Sequence, residues 1–153
     1  MMFLETTNWP KNLTIRQSQP DDAGFYYRIT HEVLFDYVVQ TWGAWDEART
    51  WQNAQEFGQS SGGAVMQVDG WAAGLIDIKQ RESDVFVVDL YVLPEYQNQG
   101  LGRHVIRSLI LLGQPIRLGV LRVNQRAQRF YKNLGFVVES TDNKYFYMVL
   151  QPL

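Results

Sequence analysis

The chain contains no cysteine. That excludes disulfides, thiolate metal sites and a cysteine nucleophile. Its two histidines, His31 and His104, stand alone, without Cys, Asp or Glu at ligand spacing, so no metal site is expected. No apolar run approaches the ~20 residues that cross a bilayer. The chain start, Met1 to Pro10, has neither a basic region nor a long apolar stretch, so no secretory leader is expected. No run of Lys and Arg is long enough to follow a phosphate backbone, and a net charge of −2 carries no nucleic-acid footprint. Repeats, low-complexity tracts and linkers are also missing. What remains is ordinary for a globular chain: 153 residues, 46% hydrophobic and 20% charged. A chain of this length buries about two-thirds of its unfolded surface, so residues 1–153 are expected to form a single domain around one sizeable core. A cytoplasmic protein with no membrane or nucleic-acid partner is the expectation.

The pattern along the chain predicts alternating short elements. Leu13–Gln17 reads as a strand. Pro20-Asp21-Asp22 offers a helix start with acids in the first turn, where the helix dipole favours them. Ile29, Val33, Tyr37 and Val38 carry the helical spacing to about Gln40. Trp42-Gly43-Ala44-Trp45 breaks it, and Asp46 can cap a second helix through about Phe57. Ala64–Val68 and Trp71–Ile78 flank Asp69-Gly70, a pair that tolerates the positive φ of a tight hairpin turn. Val85–Val92, rich in branched and aromatic residues, reads as a central strand ended by Pro94. Gly100 and Gly102 open a helix with Val105, Ile106, Leu109 and Ile110 on one face. Ile116–Val123 is a strand, and Gln125–Leu134 a helix stopped by Gly135. Phe136–Glu139 and Tyr145–Leu150 close the chain as strands. The order β-α-α-β-β-β-α-β-α-β-β implies a mixed α/β (α+β) fold.

The most informative stretch is Asp89 to Arg103, where a strand runs through a short polar loop into a glycine-opened helix. Free N–H groups at a helix N-terminus, together with the dipole, form an anion site. Glycines let the backbone approach a phosphate, and Arg103 lies in the first turn, where a guanidinium can reach one. Gly100-x-Gly102 lacks the third glycine of a dinucleotide fingerprint, and no G-x-x-x-x-G-K-[ST] is present. A plain strand-to-helix turn, with glycines there only to pack, is the other reading of these residues alone.

Leu90-x-Val92-x-Pro94-x-x-Gln97-x-x-Gly100-x-Gly102 resembles the signature segment of the GNAT acetyltransferase superfamily, with its Q/R-x-x-G-x-G/A core. Val123-Asn124-x-x-Ala127-x-x-Phe130-Tyr131-x-x-Leu134-Gly135-Phe136 is similar to that superfamily's second cofactor-side motif, in the same order and at the same spacing. The resemblance implies one GNAT-like domain with a mostly antiparallel, twisted central sheet, splayed between its fourth and fifth strands and flanked by helices on both faces. It implies acetyl-CoA as cosubstrate and a primary amine, on a small molecule or a peptide, as acceptor. Pantetheine would lie in the splay and pair with Leu90 and Val92, on a strand bulged across Leu90, Tyr91 and Val92. Backbone amides of Asn98, Gln99, Gly100, Leu101, Gly102 and Arg103, behind Gln97, would hold the pyrophosphate. Asn124, with Ala127 and Phe130 beside it, would contact the pantetheine arm, and Tyr131 would sit near the sulfur. A binding module that senses acyl-CoA without turnover, or a purely structural role, are the competing functions.

The chemistry implied by that resemblance assigns further roles. A neutral amine attacks a thioester carbonyl, and an N–H aimed at the developing oxyanion stabilises it by ~3–4 kcal/mol. Leu90 or its neighbour Tyr91 would supply that N–H. A lysine-like amine with a pKa of ~10.4 is unprotonated in roughly one molecule in a thousand near pH 7, so a base helps. Asp89 is the first candidate, with Asp77, Asp36, Asp46, Glu47 or a water chain as alternatives. Tyr131 could protonate the leaving thiolate. Trp42 and Trp45 have three readings: helix packing, acceptor pocket, or a homodimer contact. Tyr26, Tyr27 and Tyr37 read as helix packing, and His104 as a residue on the exposed side of its helix.

Overall fold

The computed structural model describes residue 4 and residues 6–153; residues 1–3 and 5, which carry part of the chain-start reading, lie outside them. Strand β1, Leu13–Gln17, is followed by a 3-10 turn at Pro20–Asp22 and not directly by helix. Asp22 explains the stop. Its carboxylate accepts the Gln19 amide at 2.8 Å and both terminal nitrogens of Arg16, at 2.9 and 2.8 Å, tying the turn to β1. Helix α1, Ala23–Trp42, then runs two residues beyond the expected end, until Gly43 adopts a φ of 83°. Asp46 accepts the Arg49 amide at 2.9 Å and caps α2, Glu47–Gln59. Strands β2, Gly63–Val68, and β3, Trp71–Gln80, form the expected hairpin, with Asp69 and Gly70 at φ 51° and 83°. Then come β4, Val85–Val92; α3, Leu101–Ile110; β5, Ile116–Leu121, two residues shorter than expected; α4, Gln125–Asn133; β6, Val137–Thr141; and β7, Tyr145–Leu150.

Among the described residues these strands form one seven-stranded sheet in the order β1-β2-β3-β4-β5-β7-β6. Every neighbouring pair is antiparallel except β4 and β5. Helices α3 and α4 cover one face, where Val105, Ile106, Leu109 and Tyr131 join the larger core cluster. Helices α1 and α2 cover the other, where Tyr26, Ile29, Ala54 and Phe57 pack on Val65 and Leu75. No described helix is long and apolar enough to cross a membrane.

Two features open the middle of this sheet. Strands β4 and β5 pair only at Val85–Ile116 and Phe86–Arg117, and the ladder ends there. At this closed end, buried Asp84 accepts hydrogen bonds from Arg81 and, at 3.1 Å, from Arg117, which also reaches Glu139 on β6 at 3.0 Å. The second feature is a bulge. Val87 lies opposite Ile78 and Asp89 opposite Asp77, leaving Val88 as an extra residue on β4. It falls just upstream of the expected Leu90–Val92 segment. Its consequence is a change of parity. Val85 and Val87 face the α3–α4 side, and after the bulge Leu90 and Val92 do so, while Asp89 and Tyr91 turn toward α1. In an unbroken strand Asp89 would point into the opposite core.

Deleting Val88 removes the extra residue and leaves Asp89 opposite Asp77. The expected product is a folded chain in which β4 runs straighter beside β5 past Phe86. Hydrogen exchange of the β4 amides there should slow roughly fivefold per ladder bond gained, from a net worth of about 1 kcal/mol each. Unchanged exchange would show that the bulge does not set the gap.

Candidate active site

A cleft of about 1780 Å³ passes through the gap between β4 and β5. It runs from the loop before α3 and the inner side of α4, past Val87–Val92 and Leu118–Leu121, to the wall made by α1 and α2. Because β5 leaves β4 after Phe86, alternate N–H and C=O groups of β4 face the cleft with no strand partner.

The loop residues lie where the sequence pointed, at one end of the cleft. Asn98 and Gly100 both take positive φ, 65° and 84°, which turns successive amides inward. The amides of residues 98–103 donate to no acceptor among the described residues; the first helical bond is His104 to Gly100. Six unpaired donors at a helix start form an anion cradle. Arg103 lines the same end and makes no ion pair among the described residues, as does Arg126 in the first turn of α4, which sequence reasoning passed over. The side chain of Gln97 donates to the Val92 carbonyl at 2.9 Å, tethering the loop to the end of β4. Gln99 reaches the Glu95 carbonyl at 3.4 Å, and the Leu101 side chain is buried in the core, so its contribution to the cradle is its amide.

The two glycines serve different ends. Gly100 holds the left-handed conformation, and a Cβ there would meet only the His104 ring, at 3.7 Å. Gly102 has helical backbone, but a Cβ on it would lie 2.9 Å from Phe130 Cζ. It lets α4 pack close against α3. Asn124 caps α4 by accepting the Ala127 amide at 3.0 Å, which leaves its NH₂ for other partners. Ala127 and Phe130 line the cleft and pack on the α3–α4 core.

Midway along the cleft, Asp89 accepts hydrogen bonds from two tyrosines, Tyr26 of α1 at 3.0 Å and Tyr91 at 2.8 Å. Burial pushes its pKa up to about 6; the two hydroxyls oppose this, and the nearby Asp77 charge adds to it. Both tyrosines are pushed the other way from ionisation, chiefly by burial and then by the Asp89 charge, so they stay protonated. Tyr131, from α4 across the gap, packs edge-on against Phe130 and Phe136 at centroid distances of 5.0 and 5.3 Å. Its hydroxyl has no hydrogen-bond partner in the described chain and opens to the cleft. Its pKa is also raised, by burial first and the Asp89 charge second. Tyr26, read from sequence as packing, does pack, with its ring 5.3 Å from Phe57, and its hydroxyl also reaches Asp89. The signal that could have found it is conformational: it is fixed only by the contact of α1 with β4.

The other acids divide. Asp77 lies opposite Asp89 and accepts Ser60 Oγ at 2.6 Å. Asp46 is a helix cap, Glu47 accepts Tyr27 Oη at 2.7 Å, and Asp36 lines a separate shallow depression on α1. Trp42 and Trp45 both line the cleft and both pack: Trp42 lies 6.1 Å from Tyr145, and Trp45 5.3 Å from His31. Tyr37 lines the cleft too, while Tyr27 stacks on Trp51 at 4.5 Å. His104 is half-buried against Trp9, ring centroids 6.2 Å apart, and not on a free face. The described residues hold no group of three or more metal-ligating side chains.

The model of the family described as acetyltransferase (GNAT) matches residues 23–136, most of the chain. The chain belongs to the acetyltransferase (GNAT) family. Curated relatives of this GNAT chain include the thialysine N-epsilon-acetyltransferase of Bos taurus, 37% identical over 57 residues, which is 34% of each chain. An uncharacterized N-acetyltransferase of Mycobacterium tuberculosis is 33% identical over 69 residues, 42% of this chain and 44% of that one. The matched stretches thus span less than half of these relatives. Among solved structures, the PaiA N-acetyltransferase of Thermoplasma acidophilum in complex with coenzyme A aligns with a TM-score of 0.72 at 21% identity, covering 91% of this chain and 98% of that one. The ribosomal-protein-S18-alanine N-acetyltransferase of Escherichia coli aligns with a TM-score of 0.66 at 22% identity, over 90% and 92% of the chains. These likenesses establish a GNAT-like fold.

The two glycines can be told apart by melting. Gly100→Ala forces a side chain into the left-handed region, at about 1–2 kcal/mol. Gly102→Ala presses on Phe130, and its cost should shrink in the Phe130→Leu background, whereas that of Gly100→Ala should be unchanged there. Equal rescue of both would refute the division of labour.

Proposed function

We propose that the chain transfers an acetyl group from acetyl-CoA to a primary amine, on a small molecule or a peptide, directly in a ternary complex. The observation that carries this reading is one cleft that joins six unpaired amides at a helix start to a carboxylate, Asp89, whose proton affinity is tuned near neutrality. The coenzyme A bound by the Thermoplasma structural neighbour supports the cofactor assignment.

The residues present fit that cosubstrate, which supplies an activated thioester carbonyl. The amides of Asn98 to Arg103 would take the pyrophosphate, with Arg103 and Arg126 as cationic neighbours. The unpaired edge of β4 would pair with the pantetheine amides as an added strand, and the Asn124 NH₂ would donate to the same arm. A backbone N–H of β4 at Leu90 or Tyr91 would meet the oxyanion.

Asp89 would take the proton of the attacking amine, directly or through one water. An acid with a pKa near 6 is ionised at pH 7 and still basic enough to accept a proton in the transition state. Tyr131 would donate to the departing thiolate. Its proton affinity is raised by the Asp89 charge. Once Asp89 is protonated by the amine, that charge is gone, and Tyr131 becomes a stronger acid at the moment the thiolate forms.

The test is CoA release over a panel of amines, polyamines, amino acids and peptides. With a responsive acceptor, kcat/KM should rise with pH through about 6 as Asp89 deprotonates, and Asp89→Asn should lose that limb along with ~10²–10⁴-fold in rate. The same variant should be more stable than the parent at pH 8 and not at pH 4. The folded pKa exceeds the unfolded value, so the stability Asp89 contributes is complete below about 4 and is lost as pH rises through about 6; the difference is on the order of 3 kcal/mol. Cofactor binding without acetyl transfer to any amine would instead favour an acyl-CoA-binding module.

Tyr131→Phe keeps the ring and its packing. It should lower kcat by about 10²-fold and leave KM for acetyl-CoA nearly unchanged. A turnover within about twofold of the parent would return Tyr131 to a packing role, since general acid catalysis contributes at least ~10²-fold.

A further inference from the structure

Asp77 is a carboxylate to which the reading above gives no role. It sits directly opposite Asp89 on β3, as its register partner. Side chains so placed lie on the same face with Cβ atoms about 5 Å apart, and like charges there repel. Had β4 run without its bulge, Val88 would occupy the place opposite Asp77. The extra residue therefore does two things at once, turning Asp89 toward α1 and setting it against a second acid.

No cation touches either carboxylate of the pair, and neither takes part in an ion pair among the described residues. The groups facing Asp89 are the hydroxyls of Tyr26 from α1 and Tyr91 from β4, the Tyr131 phenol from α4, and Asp77 from β3. Those acting on Asp77 are Ser60 Oγ, from the end of α2, and the charge of Lys79, two residues along β3. Ser60 holds Asp77 in place with a 2.6 Å bond but adds no charge. Two acids this close, solvated by neutral donors, hold one proton between them more readily than they release both.

We propose that Asp77 is a positioning residue for acetyl transfer: its charge, fixed opposite Asp89 by the β3–β4 register and by Ser60, raises the affinity of Asp89 for the proton it exchanges with the acceptor amine. Asp77 itself touches no reacting atom. The mechanistic significance rests on Asp89 being the base, but the electrostatic relation does not, and the two can be tested apart.

The direct readout is ¹³C-carboxyl NMR of the apo protein with labelled aspartate, the Asp89 and Asp77 signals assigned by Asp89→Asn and Asp77→Asn. In the parent protein both signals should follow biphasic curves that share midpoints; independent single titrations would overturn the proposal without any variant having to fold differently. In Asp77→Asn, which keeps the shape and an acceptor for Ser60, the Asp89 midpoint should fall by about one pH unit, and Asp77→Glu should restore it at least in part. An unchanged midpoint overturns the proposal. Kinetics then addresses the base: the acid limb of kcat/KM should move down with Asp77→Asn by the same amount, with the plateau at high pH retained. Coupled titration in a protein whose kcat/KM has no acid limb would sustain the relation between the two carboxylates and remove Asp89 as the base.

Discussion

The short parallel contact between β4 and β5 is the constraint on which the rest depends. Two register pairs hold the strands together at Val85 and Phe86, and the Asp84–Arg117–Glu139 chain ties that closed end to the far edge of the sheet. Beyond it, six residues of β4 present backbone groups to a cleft instead of to a strand. Backbone donors and acceptors inside a protein need partners. An inner sheet edge left open is thus a template for an extended molecule carrying amides of its own, and the anion cradle at the end of the same edge gives that molecule a direction.

The bulge at Val88 adapts this scaffold to chemistry. A two-residue repeat would commit every second side chain of β4 to the core under α3 and α4. One extra residue exchanges the faces, so hydrophobic Leu90 and Val92 keep filling that core while Asp89 emerges among tyrosines on the other side. The cost is electrostatic. A half-buried carboxylate opposite another one opposes folding at neutral pH, and it persists because the sheet around it is fixed by two well-packed faces.

What could be read in advance followed the range of the interactions. Hairpin, caps and the glycine-opened helix are local, and Asp46, Asp69-Gly70, Gly100 and Gly135 announced them. The bulge was expected two residues downstream because its position is defined by β3, and only the parity change from Val85 and Val87 to Leu90 and Val92 records it in the sequence. Tyr26 lies 63 residues from Asp89, and nothing in its helical spacing distinguishes a hydroxyl aimed at a carboxylate from one aimed at solvent. The second demand on Gly102, contact with the Phe130 ring, could not be read because that ring comes from a different helix. The α1–α2 wall carried no readable motif because its lining is assembled from residues spread over two helices and a loop.

Histidine is the usual base near neutral pH, and this chain has two, neither of which lines the cleft. His31 is stacked among Tyr27, Phe35 and Trp45, and His104 lies against Trp9. An aspartate at its ordinary pKa of about 3.9 is too weak a base to compete for an amine's proton. For Asp89, the base proposed, three features of the fold correct this. Burial beside Tyr26 raises the proton affinity, the opposing Asp77 raises it further, and the two tyrosine hydroxyls restrain the rise so that the group remains ionised at pH 7. The value near 6 reflects burial first, restrained by the hydroxyls of Tyr91 and Tyr26, with Asp77 adding the smallest share; Tyr26 lies far from Asp89 in sequence.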